Sequence, residues 1–322
     1  MTQSAPTFIH VNDLTAVAQR RPTFLAIGSF DGVHLGHQAL IRQLVAAARE
    51  AHARAAVLTF FPHPKRVIQN LTDRYYLTTL EDRVALLADL GVELIITHPF
   101  NETVRQTRAE TFVMQLCHYL EMRQLWGGNF ALGYNREGDI PFLRMLGEKL
   151  GFEVRLAEQM VSWDGGLVSS SRVRHSLATG RIRDVTGCLA RPFHMSGQIV
   201  VGDKRGRTIG FPTANLQVWE ELLLPGNGVY AARAWVNGQS YAAATNIGVR
   251  PTVDGTKLRI EAHLLDFSGD IYGAEMRLDF LERVRPELRF DGLDALQAQI
   301  SRDVEAVRAI YAREPLASLT LP

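Results

Sequence analysis

The feature that most constrains this chain is a change of period near residue 190. From Thr23 to about Met160, short β-rich runs alternate with helical stretches, the pattern of parallel strands joined by crossover helices. Beyond residue 190 the runs become short strands separated by Gly, Pro and Asn turns, as expected where an antiparallel barrel begins. One core does not serve both patterns. The reading is therefore an α/β chain with two domains: an N-terminal doubly wound parallel sheet over residues 1–186, and a C-terminal antiparallel β-barrel with a terminal helix over 187–322. A length of 322 residues at 46% hydrophobic content supplies two ordinary cores.

In the first part, strands are expected at 23–30, 55–61 and 92–97, more weakly at 123–130, and again at 152–160. Helices are expected at 38–51, with Leu40, Ile41, Leu44, Val45 and Ala48 on one face, from Thr79 as N-cap to Gly91, over 109–122, and over 141–151. In the second part, strands are expected at 194–202, 228–236, 239–248, 257–267 and 275–284, with Asn237-Gly238 as a hairpin turn. The last helix, about 293–313, carries Leu296, Ile300, Val304, Val307 and Ile310 as its apolar stripe.

The balance of 35 basic against 34 acidic residues sets up no field for nucleic acid or an anionic membrane, so any anion is bound locally. Cys117 and Cys188 stand far apart without metal-ligand spacing and read as buried small apolar residues. No basic-then-apolar leader and no bilayer-length apolar run is visible, so a cytoplasmic protein without a membrane partner is expected.

Gly28-Ser29-Phe30-Asp31-Gly32-Val33-His34-Leu35-Gly36-His37 lies where the first strand meets the first helix, the place where open parallel sheets bind ligands. Attack on the α-phosphorus of ATP needs hydrogen-bond donors aimed at charge building on phosphate oxygens, and two imidazoles supply them. Gly36 removes a side chain near the phosphates, and the helix start favours an anion. Either histidine alone reads more readily as a surface or core residue; the combination at a strand-to-helix junction points to nucleotide chemistry.

This segment resembles nucleotidylyltransferases, and its full length is similar to the bacterial bifunctional riboflavin kinase/FAD synthetase family. Phe61-Pro62-His63-Pro64, Leu77-Thr78-Thr79-Leu80, Gly128 to Gly133 and Ser169-Ser170-Ser171-Arg172-Val173-Arg174 follow in the family's order. The resemblance implies an FMN adenylyltransferase domain with His34 and His37 catalytic. It implies ATP or phosphate contacts from Gly28, Phe30, Asp31, Gly36, Ser169, Ser170 and Arg174, and flavin or nucleotide contacts from His63 and Asn129. Read alone, Ser169 to Ser171 would be a helix N-cap. Phe61, Leu132 and Ser171 depart from the family's usual residues.

The segment from Gly202 to Asn215 joins a glycine-rich basic loop to two oxygen-bearing side chains two residues apart. Gly202, Lys204 and Gly206 suit a phosphate, and Thr213 and Asn215 offer hard oxygen ligands for Mg²⁺ on one face of an extended segment. By spacing alone, a hairpin with a solvated basic tip is as good a reading. Gly-x-Pro-Thr-Ala-Asn also resembles riboflavin kinases, as does the run from Thr245 to Thr252. That likeness implies Glu261 as the catalytic acceptor near the ribityl hydroxyl and Arg289 as a flavin or nucleotide contact. Alternation puts Glu261, His263 and Leu265 on one strand face, with His263 left as a structural residue.

Together these residues imply ATP-dependent conversion of riboflavin to FMN at the second site and of FMN to FAD at the first, with Mg²⁺ at both. The implied partners are riboflavin, FMN, FAD and ATP, and the oligomeric state is open. Three rivals stand beside this reading: a lone adenylyltransferase with a docking barrel, a flavin carrier without turnover, and a riboflavin kinase with an impaired first domain.

Overall fold

The computed structural model describes residues 8–128, 130, 132–157, 161–202, 206, 209–252 and 255–313, with side chains at 250–252 and 255–257 left aside. By contacts the chain forms two units. Residues 1–73 and 78–170 make the first, and residues 74–77 with 171–322 make the second.

The first unit runs β1 (Ile9–Val11), β2 (Thr23–Gly28), α1 (Leu35–Glu50), β3 (Arg54–Phe61), α2 (Pro64–Gln69), α3 (Leu80–Asp89), β4 (Leu94–Pro99), α4 (Glu102–Gln106), α5 (Ala109–Leu120), β5 (Met122–Gly127), α6 (Ile140–Leu150), β6 (Glu153–Leu156) and the small hairpin β7 (Ser162–Trp163) and β8 (Gly166–Leu167). The six long-range strands pair in parallel in the order β1-β4-β3-β2-β5-β6. Strand alternation divides the apolar residues between two faces. Phe24, Ala26, Val57 and Ile95 meet Leu40, Ile41 and Leu44 of α1 and Leu87 of α3. Leu25, Leu58, Ile96 and Leu125 meet Phe112, Leu116, Leu143 and Leu146 of α5 and α6. Helices on both faces make the sheet doubly wound.

The second unit contains α7 (Ser170–Ala178), whose first residue closes the first unit, α8 (Ile182–Leu189), β9 (Phe193–Val200), β10 (Ala214–Val218), β11 (Gly228–Val236), β12 (Gln239–Thr252), β13 (Gly255–Leu264), β14 (Glu275–Arg285) and α9 (Leu293–Arg313). The six strands close into a barrel in the order β10-β13-β12-β11-β14-β9. Tyr230, Phe193, Phe280, Ile247 and Leu278 are fully or almost fully buried. Asn237 (φ +49°) and Gly238 (φ +75°) form the expected two-residue turn between β11 and β12, both in the left-handed region that such a turn requires. Val307 and Ile310 of α9 pack with Ala231, Leu265 and Leu281 against the barrel's outer face.

The differences from the sequence reading have local causes. Helix α1 starts three residues early because His34, not the stretch after His37, caps it. Strand β13 stops at Leu264 because Asp266 turns the chain at φ +59°. The sequence shows β10 only as an extended segment: the strand is five residues long, too short to show much alternation. Strand β1 and helices α2 and α4, of three, six and five residues, are too short to show a period. Cys188 is buried as expected, whereas Cys117 is only half-buried, at the rim of the core under α5.

Candidate active sites in the two units

In the first unit β2 is the switch point. The chain moves outward from it through β3 and β4 on one side and through β5 and β6 on the other, which opens a crevice beyond its carboxyl end. The loop from Gly28 to His37 fills that position. Phe30 (φ +45°), Gly32 (φ +84°) and Val33 (φ +38°) all lie in the left-handed region, which for a β-branched valine costs about 1–3 kcal/mol. The surroundings hold it there. The Asp31 carboxylate, 1% exposed, accepts from the Thr78 amide and hydroxyl, both at 3.3 Å, and pairs with the fully buried Arg83 at 3.5 Å. The Thr59 hydroxyl donates to Ser29 O at 3.0 Å, and Ser170 Oγ donates to Asp31 O at 3.0 Å. Asp31 thus anchors the loop from inside, and Gly28 makes room for the Phe30 ring, 3.1 Å from where a Cβ would stand.

His34 caps α1: its Nδ1 accepts the His37 amide at 3.4 Å. With Nδ1 accepting, the ring proton sits on Nε2, which becomes the donor. The His37 ring stacks on it with centroids 3.6 Å apart and 19° between planes, and Phe30 meets His37 edge-on at 5.2 Å. A Cβ on Gly36 would stand 3.2 Å from His34 Cε1, so this glycine admits the imidazole. Two ring donors and a helix start on one patch suit a triphosphate.

His63 is placed at the end of β3, 8% exposed, where it caps α2 by accepting the Lys65 amide at 3.1 Å. Beside it opens a cavity of about 590 Å³ lined by Phe60, Pro64, Phe100, Phe112, Leu132 and Arg136 among others. His98 packs against Phe60 and Phe112, and burial pushes its imidazole below the ordinary value against the pull of Asp13. Ser169 directly precedes α7. Arg174 falls in the second unit, where its Nε donates to Tyr75 O at 2.9 Å and its guanidinium lies 3.9 Å over the Tyr75 ring. Asn129 and Lys204 lie outside the described residues.

The second unit has a cavity of about 660 Å³ between the outer wall of the barrel and the first half of α9. Gly206, Thr213, Asn215 and Glu261 line it together, with Arg259 and His263 on one side and Leu288, Phe290, Leu296 and Ile300 on the other. Asn215 and Glu261 are direct cross-strand partners on β10 and β13. Arg259 pairs with Glu261 at 3.4 Å. Gly202 stands beneath Asn215, and a Cβ there would lie 2.1 Å from Asn215 Nδ2. Gly206 turns the loop: a Cβ there would stand 2.3 Å from Phe211 O, and Thr213 Oγ1 lies 3.5 Å from the same point. Both glycines therefore shape the space that the two oxygen-bearing side chains occupy. Arg289 is exposed and is not part of the cavity wall, whereas its neighbours Leu288 and Phe290 are.

Gly202→Ala is accordingly expected to leave the barrel folded, because the clash is with the end of a flexible side chain, and to push Asn215 aside. A displacement of about 1 Å in such a constellation costs on the order of 100-fold in rate. Turnover at this site measured against an unchanged thermal unfolding curve checks this.

One ion pair at the cavity escaped the sequence reading. Arg285 makes a bidentate pair with the buried Asp303 of α9, Nε to Oδ1 at 2.9 Å and Nη2 to Oδ2 at 2.8 Å, joining β14 to the helix that roofs the cavity. The signal was present in Asp303, an acidic residue beside the apolar stripe. In the first unit, Arg83 sits among the buried residues Val84 and Leu87 of α3, which marks it as a residue with a buried partner.

A histidine pair at the switch point of a parallel sheet, and a barrel-wall cavity holding Thr, Asn and Glu, define a two-module nucleotide-dependent transferase. The family model described as FAD synthetase matches residues 16–172, and the one described as riboflavin kinase matches 189–311. Bifunctional riboflavin kinase/FMN adenylyltransferases of Listeria monocytogenes (36% identical over 90% of this chain and 92% of that one) and Pseudomonas fluorescens (37%, 91% and 94%) are similar throughout. The chain belongs to the bifunctional riboflavin kinase/FMN adenylyltransferase family. A crystal structure described as a macrolide-efflux protein from Streptococcus pneumoniae is also similar, with TM-score 0.84 and 28% identity over 94% of this chain and 98% of that one. Among the described residues no helix is long and apolar enough to cross a membrane.

Proposed function

We propose that the chain phosphorylates riboflavin with ATP at the barrel site, and adenylylates the resulting FMN with a second ATP at the sheet site. The observation that carries the reading is the cross-strand pairing of Asn215 with Glu261 in one cavity, within a chain that also keeps the stacked His34 and His37 at its switch point.

At the barrel site, Glu261 takes the proton of the ribityl 5′-hydroxyl as its oxygen bonds to the γ-phosphorus of ATP, and ADP leaves with the electron pair of the broken P–O bond. Thr213 and Asn215 would hold a Mg²⁺ ion, which supplies charge neutralisation at the phosphate oxygens; the glycine-lined space under both side chains fits this role. The apolar wall of Leu288, Phe290, Leu296 and Ile300 takes the flavin ring.

At the sheet site, a phosphate oxygen of FMN bonds to the α-phosphorus of ATP and pyrophosphate leaves. His34 Nε2–H and the His37 ring donate to the charge that grows on the phosphates, and the loop backbone from Gly28 to Gly36 shapes the approach. The aromatic cavity beside His63 fits the isoalloxazine of FMN, with Phe60, Phe100 and Phe112 against its apolar faces. Location in the cytoplasm, where ATP and Mg²⁺ are supplied, belongs to this reading.

Incubation of purified protein with riboflavin, ATP and Mg²⁺, followed by chromatographic separation of the flavins, tests both halves. FMN followed by FAD is expected. Absence of both products would refute the proposal, and FMN without FAD would reduce the protein to its kinase.

A further inference from the structure

Strand β13 points Arg259, Glu261 and His263, at alternate positions, into the barrel-wall cavity. The first two form an ion pair; the third does something different. His263 Nδ1 lies 2.8 Å from the carbonyl oxygen of Pro212, and because a carbonyl only accepts, the ring donates from Nδ1. The Phe211 ring meets the same imidazole edge-on, with centroids 5.5 Å apart.

The location of this bond gives it meaning. Ladder pairing between β10 and β13 begins at Ala214 opposite Ala262, one residue beyond Thr213. Upstream, the amides of Ile209 and Phe211 turn back to Gly206 O at 3.2 and 2.8 Å. Pro212 has no N–H to add, so the stretch that carries Thr213 lies between the turn and the ladder. The His263 side chain bridges that gap from the strand that also carries Glu261.

We infer that His263 is a positioning residue for phosphoryl transfer: by holding the Pro212 carbonyl it fixes Thr213 in place relative to Glu261. The inference rests on the kinase reading of this cavity. It assigns the imidazole no contact with substrate and no proton transfer: its role is the hydrogen bond to Pro212 O.

The test compares wild type, His263→Leu and His263→Asn in the full chain. The Asn amide keeps a donor in reach of the carbonyl; Leu keeps bulk without a donor. Calorimetry of Mg·ADP binding and the Mg²⁺ dependence of FMN formation are the readouts, with FAD formation from supplied FMN as a control on the other site. Loss of a residue that orients a metal ligand costs roughly 10–100-fold in affinity or activity. His263→Leu is therefore expected to weaken Mg·ADP binding and raise the Mg²⁺ requirement by at least about tenfold, with the KM for riboflavin little changed. His263→Asn should recover most of the loss, with the pH profile unmoved. His263→Ala carries the same expectation as Leu and in addition removes the packing against the Phe211 ring. Wild-type Mg²⁺ dependence and Mg·ADP affinity in either donor-less variant would overturn the inference, as would a loss that Asn does not restore. A wild-type chain that makes no FMN would remove the kinase reading and this inference with it; a wild-type chain that makes FMN beside unaltered variants would remove this inference alone.

Discussion

Glu261→Gln is expected to lower FMN formation by about 10²–10⁴-fold, the usual contribution of a positioned proton acceptor, while FAD formation from supplied FMN proceeds at the wild-type rate. The substitution keeps the volume and hydrogen-bonding length of the side chain and removes only its basicity and charge. Its surroundings make the comparison clean. Glu261 lines the cavity, sits opposite Asn215 across the ladder, and has Arg259 3.4 Å away, so the barrel loses one partly exposed ion pair and no core packing. Such pairs contribute at most about 1 kcal/mol, so the thermal unfolding curve should hardly move. A rate loss below about tenfold, with fold and FAD formation intact, would remove Glu261 as the proton acceptor and leave it a surface carboxylate.

The second large effect belongs to the histidine pair, and the cap geometry decides which variant is informative. His34→Ala removes both the ring donor and the cap of α1, the latter worth about 0.5–2 kcal/mol. His34→Asn keeps a cap and removes the imidazole. Both are expected to lower FAD formation by about 10²–10³-fold, the cost of removing one donor to developing charge, and only His34→Ala should also lower the melting temperature. His37→Ala should match His34→Asn in rate loss, because the rings stack at 3.6 Å on one patch. FMN formation at the barrel should be untouched in all three. Full FAD formation by His34→Asn would show that the histidine is a cap and nothing more.

Much of this architecture was open to reading along the chain. The short apolar runs of β2, β3 and β4, buried on both faces, and the helical spacing in α1 and α3 come from burial, and burial leaves its mark in the residues themselves. Asn237-Gly238 specifies its turn because both positions require positive φ, which few other residue pairs tolerate. The site motifs were legible for a related reason: His34, Gly36 and His37 act over four residues, within one strand-to-helix junction, so spacing and geometry coincide.

What the linear order hides is cooperation between distant segments. Asp31, taken from its motif as a phosphate contact, turns inward to Thr78 and Arg83, residues 47 and 52 positions away. Gly202, read as a phosphate loop residue, is required because Asn215 occupies the space of its missing side chain. The stripe of α9 reads as uniform core, yet Leu296 and Ile300 wall the cavity while Val307 and Ile310 pack on the barrel, since one helix face passes over both. Arg289 stayed at the surface although its neighbours lie in the cavity wall. The sequence by itself determined the two-part fold, its switch-point loop and the chemical types at each site, because period, turn chemistry and motif spacing are local properties. Only tertiary structure decided which side chains meet, because register between β10 and β13 and the seating of α9 depend on packing summed over many residues, none of which carries that information alone.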